Sequence, residues 1–328
     1  MATTTTALKG AGPVTGSRSF FAKLRDGDEI ARLVTLVFAA TVVLITVALV
    51  WELWVNSALP RQKFGLHFFV TQTWDPIMDE FGALPFIYGT LVTSMLSLLI
   101  AVPLGIGAAI FLAELAPARV SDTLQFFIDL LAAVPSVIYG LLGVFIVVPL
   151  VRTVIYPALN KPFGFLPVFK GPSYGVGFIT AGIVMAIMVI PYIISVSREV
   201  LLSVPRDQRE AALALGSTRW ESTWRVVVPF AKTGIMGSIF LALARALGET
   251  MAVTMVIGNT PKIAASLFAP GYSIAAVIAN EFTEATGDLY LQALIELGLV
   301  LFLLTFILNG LARLLIVVTT QKGSGVAA

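Results

Sequence analysis

FIYGTLVTSMLSLLIAVPLGIGAAIFLA, residues 86–113, is a run of 28 residues without one charged side chain. A helix needs about 20 predominantly apolar residues to cross the hydrocarbon core of a bilayer, so this stretch predicts a transmembrane helix. On either side of it, five more stretches are apolar and long enough to cross, at residues 33–54, 124–151, 176–197, 233–257 and 293–316. We therefore expect an all-α membrane protein with six transmembrane helices.

The overall composition excludes most other classes. Of 328 residues, 58% are apolar and only 12% are charged, against roughly 25% charged in an ordinary soluble domain. The absence of cysteine and the single histidine, His67, exclude thiolate chemistry and two-histidine metal sites. The balance of 21 basic to 19 acidic residues leaves no footprint for nucleic acid. A membrane enzyme is the least favoured class, because clustered carboxylates are missing as well.

Lysine and arginine predict the orientation. With the N-terminus inside, fourteen of these residues lie on the cytoplasmic side and six on the outer side. The positive-inside rule then places both termini in the cytoplasm, with the chain in the cell membrane. The expected order is a cytoplasmic tail (1–32), a first transmembrane helix (33–54), an outer loop (55–85), a core of five further helices (86–317) and a cytoplasmic tail (318–328).

The segments outside the spans are predicted in less detail. We expect disorder over 1–19 and a short interfacial helix over 20–32. Residues 152–175, with four prolines, are expected to lack regular structure. Residues 263–279 are apolar but interrupted by Pro-Gly, which predicts a re-entrant or surface-lying segment.

The loop between the fourth and fifth spans, residues 198–232, carries six arginine and lysine residues. Pro205 suits the first turn of a helix, and Gly216 suits its end, where a positive φ is expected. The loop is therefore predicted to contain one short helix, followed at once by a second.

Thr218 and Glu221 have the spacing of a capping box that begins this second helix. Trp220 and Trp224 are four residues apart and share one face of it. Pro229 is expected to end it. From the residues alone, the helix pair could rest on anionic lipid or form a docking surface for a cytoplasmic protein.

The segment EAALALGSTRWESTWRVVVP, Glu210 to Pro229, resembles the EAA motif of ABC importer permeases. Glu210, Ala211, Ala212, Gly216 and Pro229 match that motif. The resemblance implies a type I ABC importer permease fold, in which these two cytoplasmic helices are coupling helices that insert into a groove of the ATPase subunit.

The chain contains no G-x-x-x-x-G-K-[ST] phosphate loop. If ATP drives this protein, a separate partner chain binds ATP and Mg²⁺, and we expect no cofactor in this one.

Arg245 and Glu249 are charged residues inside the fifth predicted span. An arginine at the centre of a bilayer costs about 2.5–3.5 kcal/mol. Four residues separate the two, which would place them on one helical face and allow them to pair. One interpretation is a buried ion pair that fixes helix packing. The other is an anion site on a translocation pathway, because a guanidinium group suits a tetrahedral oxyanion.

Three further blocks, residues 74–94, 131–143 and 244–259, look like the PstC-type permeases of phosphate ABC importers. This resemblance implies a heterodimer with a PstA-type permease, a PstB-type ATPase dimer, a PstS-type phosphate-binding protein and inorganic phosphate as the transported ion. Two alternatives stay open: the permease of another oxyanion importer, and an ion-coupled secondary transporter that uses Arg245 and Glu249 without an ATPase.

Overall fold

A computed structural model of the protein describes residues 28–321. The predicted disordered start, residues 20–27 of the predicted interfacial helix and residues 322–328 of the tail lie outside this range. Helix α1 up to Glu52 belongs to one compact unit, and the chain from Leu53 onward forms a second. The packing described below is that of the second unit.

The structure is helical apart from one short hairpin and its loops. Six helices are long and apolar enough to cross a membrane, which confirms the predicted number: α1, α3, α5, α6, α8 and α11. The helices run in the order α1 (Asp28–Val55), α2 (Ala58–Phe64), α3 (Leu84–Leu115), α4 (Ala118–Ala132), α5 (Ser136–Phe163), α6 (Phe178–Leu202), α7 (Arg206–Ala214), α8 (Arg219–Leu247), α9 (Met251–Val256), α10 (Ile274–Glu281) and α11 (Asp288–Gln321).

Helix α6 lies at the centre of the second unit. In its most apolar window 67% of residues are buried, against 28–33% in α3, α5, α8 and α11. Its closest neighbour is α3, which approaches at two glycines. A Cβ atom added to Gly105 would lie 2.7 Å from Ile193, and one added to Gly182 would lie 2.7 Å from Leu96. Small residues allow helices to pack at short range in a membrane, where van der Waals contact replaces the hydrophobic driving force.

The predicted outer loop, residues 55–85, is structured. It contains α2, a 3₁₀ turn (Gly65–Phe69) and an antiparallel hairpin of two-residue strands, β1 (Trp74–Asp75) and β2 (Glu80–Phe81). Trp74 packs against Phe81 and Phe86, with ring centroids 4.9 and 4.8 Å away, and donates a hydrogen bond to Glu281 Oε2 at 2.8 Å. This hairpin therefore closes the end of the bundle at which α3 begins.

The predicted third span, 124–151, is wrong in its boundaries. The chain breaks at residues 133–135, so that α4 and α5 are separate helices and the apolar span is Ser136–Phe163. Two tyrosine hydroxyls accommodate the break: Tyr139 donates to the carbonyl of Leu131 at 2.7 Å, and Tyr192 to that of Ala132 at 3.1 Å. The first half of the segment 152–175, expected to be irregular, is consequently helical.

The predicted fifth span, 233–257, is interrupted as well. Helix α8 ends at Leu247, and the short helix α9 follows after residues 248–250. The segment 263–279 does not lie on a surface, because Phe268, Tyr272 and Ile274 are buried. It returns the chain to α10 inside the second unit, which fits the re-entrant interpretation.

Four π turns share one position relative to proline. Each ends two residues before a proline, and the residue directly preceding that proline donates its N–H to the carbonyl five residues earlier. A proline ring clashes with the carbonyl four residues before it in a regular α-helix, and the wider π turn relieves that clash. The prediction that Pro229 ends the second coupling helix is wrong for this reason: the π turn Thr223–Val227 lets helix α8 continue through Pro229 to Leu247.

We expect the change Gly89→Ala to destabilise the protein by about 1–3 kcal/mol through overpacking. A Cβ atom at Gly89 would lie 2.0 Å from the carbonyl oxygen of Tyr272, a backbone atom that cannot move aside. The matched control is Gly107→Ala in the same helix, where a Cβ atom meets nothing within 4 Å. The thermal unfolding midpoint should fall for the first variant and hold or rise for the second; equal midpoints would contradict the packing described here.

Candidate functional site

Helix α7, the first of the two predicted coupling helices, is capped by short-range hydrogen bonds. Pro205 is its N-cap residue. At its end the N–H of Gly216 bonds to the carbonyl of Leu213 at 3.0 Å, and that of Ser217 to the carbonyl of Ala212 at 3.2 Å. This pair of bonds is the Schellman motif. Gly216 has φ +88°, as predicted, and only glycine adopts that conformation without strain.

The capping box of the second coupling helix is present. Glu221 N–H donates to Thr218 Oγ1 at 3.2 Å, and Thr218 N–H donates to Glu221 Oε2 at 2.9 Å. Trp220 and Trp224 contact each other on one face of the helix, with ring centroids 5.5 Å apart. Both indoles are about half exposed, at 54% and 47%. The loop therefore presents a rigid aromatic edge to its surroundings.

The five residues matched to the EAA motif divide into two groups. Ala212 is buried and anchors α7 against the bundle. Glu210, Ala211, Gly216 and Pro229 are exposed. The exposed residues surround the buried Ala212 and are accessible to a partner protein. Docking of an ATPase subunit on this surface stays a prediction.

Sequence reasoning missed the contact that holds α7 in place. The guanidinium of Arg209 contacts both carboxylate oxygens of Glu114, which lies in the last turn of α3; Nη2 to Oε1 is 2.7 Å and Nε to Oε2 is 3.2 Å. The same guanidinium donates to the carbonyls of Leu201 and Val204, at 2.7 and 2.5 Å, where α6 ends. One side chain thus joins the coupling helix to two membrane helices. From the sequence Glu114 was only an acidic residue near a span end, because its partner is 95 residues away.

This Arg209–Glu114 clamp is largely shielded from solvent. The side chains are 20% and 10% exposed. An ion pair in such surroundings is costly to break, since one partner would be left as an uncompensated charge. The second ion pair among the described residues, Arg198 with Asp122 at 3.1 Å, differs because the Asp122 side chain is 76% exposed. Exposed pairs of that kind contribute at most about 1 kcal/mol.

Arg245, near the middle of the predicted span 233–257, lies in the last turn of α8 because that helix ends at Leu247. Its guanidinium carbon is 4.1 Å from the ring centroid of Tyr192. Its Nε atom is buried and has no hydrogen-bond partner among the described residues. Tyr192 also donates to the carbonyl of Ala132, so Arg245 lies beside the break between α4 and α5.

The expected helical pairing of Arg245 with Glu249 is wrong. Helix α8 ends at Leu247, so four residues no longer correspond to one helical face. Within residues 28–321 no ion pair joins the two side chains. Glu249 Oε1 instead accepts a hydrogen bond from the N–H of Ala252 at 3.2 Å, in the first turn of α9. Glu249 lies within the second helix break, residues 248–250, and Arg245 lies in the helical turn just before it.

The two broken helices pack against each other. A Cβ atom on Gly140 in α5 would lie 3.2 Å from the Cα atom of Ala252 in α9, and one on Gly143 would lie 2.7 Å from Val256. The two breaks, at residues 133–135 and 248–250, adjoin the apolar helices Ser136–Phe163 and Arg219–Leu247. The structure therefore gathers one arginine, one carboxylate and two helix breaks in one region.

Six apolar helices, a capped pair of short helical turns and charged residues at helix breaks are features of a transport permease. The chain belongs to the family of binding-protein-dependent transport system inner membrane components, whose model matches residues 101–316. The protein is thus a multi-pass membrane permease subunit of the ABC importer class. This confirms the predictions of a transport subunit and of a type I importer fold.

Two relatives in this family are both phosphate transport permeases. The phosphate transport system permease protein PstC of Pasteurella multocida is 48% identical over 295 residues, covering 89% of this chain and 92% of the relative. The protein of the same name from Mesorhizobium japonicum is 45% identical over 290 residues, covering 87% and 89%. The predicted resemblance to PstC-type permeases is therefore confirmed.

Two solved structures share the fold. The inward-facing MetNI methionine ABC transporter matches with a TM-score of 0.55 at 15% identity, covering 74% of this chain and 98% of that chain. A bacterial ABC transporter involved in the import of alginate matches with a TM-score of 0.55 at 19% identity, covering 89% and 98%.

We expect Glu114→Gln to release α7. Backbone amides of Arg206–Ala214 should exchange with deuterium faster by roughly tenfold or more, because Arg209 loses its charged partner. Asp122→Asn is the control: it removes the carboxylate of an exposed pair and should leave exchange in α7 unchanged. Unaltered protection of α7 in Glu114→Gln would show that the clamp does not hold the coupling helix.

Proposed function

We propose that this chain is a permease subunit of an ATP-driven phosphate importer and forms half of its translocation pathway. The observation that carries the proposal is identity of 44–48% to bacterial proteins that are each named phosphate transport system permease protein PstC, over about nine-tenths of this chain. The expected partners are a PstA-type permease, a PstB-type ATPase dimer and a PstS-type phosphate-binding protein.

The coupling loop is where the ATPase would act. The exposed tryptophan pair and the exposed EAA residues offer the contact surface, while Arg209 and Glu114 tie α7 to α3 and α6. Movement of the ATPase subunits would then reach the membrane helices through a short, stiff connection. Energy would come from hydrolysis of ATP, which the partner would bind together with Mg²⁺, since this chain has no phosphate loop.

Arg245 is our candidate for contact with the transported ion. Its guanidinium stacks on Tyr192 and does not form a salt bridge with Glu249, which leaves its charge available to an anion. Glu249 borders the same helix break. Near neutral pH phosphate still carries a proton that it can donate to a carboxylate, whereas sulfate carries none, so Glu249 would favour phosphate.

Uptake of labelled phosphate into vesicles that hold this chain with its partners tests the proposal. We expect uptake that requires ATP and that falls by roughly tenfold or more in Arg245→Gln, because one charge-assisted hydrogen bond to the ion is lost. Glu249→Gln should weaken phosphate uptake and narrow the preference over sulfate.

The control variant is Arg152→Gln, which removes an exposed arginine outside the proposed pathway. ATPase assembly should be intact in all variants. Uptake that ignores ATP would support an ion-coupled carrier instead, and equal uptake of sulfate or molybdate would point to another oxyanion. Uptake at the wild-type level in Arg245→Gln would indicate that this arginine serves helix packing and does not contact the ion.

The proposed location is the cell membrane, with both termini and the coupling loop in the cytoplasm. Because the chain has no cysteine, single introduced cysteines report topology without background. Ile77 is 91% exposed and Leu215 is 88% exposed. In intact cells a membrane-impermeant maleimide should label Ile77→Cys and spare Leu215→Cys until the membrane is opened. The reverse pattern would invert the proposed orientation.

A further inference from the structure

A cavity of about 350 Å³ lies between the end of α1, helix α2 and helix α11. This volume is within the range of about 300–1,000 Å³ that small-molecule sites occupy. Most of its wall is apolar, with Leu299 and Leu303 along one side. Two charged residues, Arg61 and Glu296, complete the lining. Two charged side chains in a mainly apolar cavity each need a hydrogen-bond partner or a group of opposite charge.

Glu296 is 2% exposed and lies in the apolar span of α11. Its Oε2 atom is buried and has no hydrogen-bond partner among the described residues. Burying a carboxylate without a partner costs several kcal/mol. A residue that carries this cost inside a membrane helix is a candidate for binding.

Arg61 is held rigidly on the other side of the cavity. Its guanidinium carbon is 3.7 Å from the ring centroid of Trp54, Nε donates to the carbonyl of Ser57 at 3.1 Å, and Nη2 donates to the carbonyl of Trp54. The remaining nitrogen, Nη1, is buried and has no partner. The described residues contain no ion pair between Arg61 and Glu296 within 4.0 Å.

The two charged residues in the wall of the cavity thus carry one unpaired donor, on the cation, and one unpaired acceptor, on the anion. We propose that it binds phosphatidylethanolamine. The phosphate of this lipid accepts from Arg61 Nη1, its ammonium donates to Glu296 Oε2, and an acyl chain lies along Leu299 and Leu303. An anionic lipid would leave Glu296 opposed to like charge, and a lone cation would be opposed by Arg61. Only a headgroup with both signs satisfies both residues.

The position of the cavity in the chain is suited to a lipid at the protein–bilayer boundary. Trp54 stands at the end of α1, where aromatic residues anchor a chain at the level of the headgroups. Leu303, at 46%, and Leu66, at 84%, are exposed beside the cavity. A lipid can therefore enter from the bilayer with its headgroup first.

Native mass spectrometry of the purified, assembled transporter measures bound lipid directly. After exchange into a mixture of phosphatidylethanolamine and phosphatidylglycerol, wild type should retain phosphatidylethanolamine. Glu296→Gln should lower that retention by roughly tenfold, as expected for loss of one charge-assisted hydrogen bond. Arg61→Gln should do the same. Glu284→Gln and Arg152→Gln remove exposed charges elsewhere and should retain lipid like wild type.

The variant Leu303→Trp tests the same site without changing Arg61, so the test does not depend on whether Arg61→Gln folds. It narrows the cavity and keeps both charges, so it should exclude the lipid while the thermal unfolding midpoint in detergent stays near that of wild type. Equal retention in wild type, Glu296→Gln and Leu303→Trp would overturn the proposal, as would a preference for phosphatidylglycerol. The assay counts lipid, not phosphate uptake, so its outcome is independent of the proposed transport function.

Discussion

A backbone that crosses lipid must satisfy its own hydrogen bonds, because the bilayer core offers no water to replace them. This chain meets that constraint while carrying 17 prolines, each of which lacks an N–H group. Its π turns shift the hydrogen-bond partner by one residue directly before a proline, so that the helix of α8 continues through Pro229. Where a helix does break, side chains satisfy the free backbone groups. At the end of α4 the hydroxyls of Tyr139 and Tyr192 donate hydrogen bonds to backbone carbonyls.

The same constraint explains why the breaks fall where function is expected. An interrupted helix is tolerated only where neighbouring groups satisfy the exposed backbone, which confines breaks to polar regions inside the bundle. In this protein the two breaks lie beside Arg245 and Glu249, and the helices that follow them, α5 and α9, pack against each other at Gly140 and Gly143. The region that we propose contacts the anion is thus also a region of irregular backbone.

The coupling end of the molecule is built on the opposite principle, rigidity. Capping bonds within the loop fix α7 and the start of α8, and the Arg209–Glu114 clamp fixes α7 to α3 and α6. A stiff connection passes movement to the bundle with little loss, whereas a flexible loop would absorb it.

Much of this protein was readable from local sequence. Six apolar runs gave six membrane helices, and the capping box of Thr218 and Glu221 and the positive φ at Gly216 follow from residues within one or two helical turns. The EAA segment and the three PstC-like blocks identified the family for the same reason, since each is a contiguous motif.

Tertiary structure decided the remainder. The predicted third and fifth spans each contain a break whose backbone groups are satisfied by side chains, Tyr139 and Tyr192 at the first and Glu249 at the second, and hydropathy does not encode these bonds. Arg209 finds Glu114 across 95 residues, Arg245 finds Tyr192 instead of Glu249, and Arg61 and Glu296 meet in one cavity. Hydrophobicity and capping act over a few residues and are written in sequence order, whereas pairing between distant charges exists only after the helices have packed.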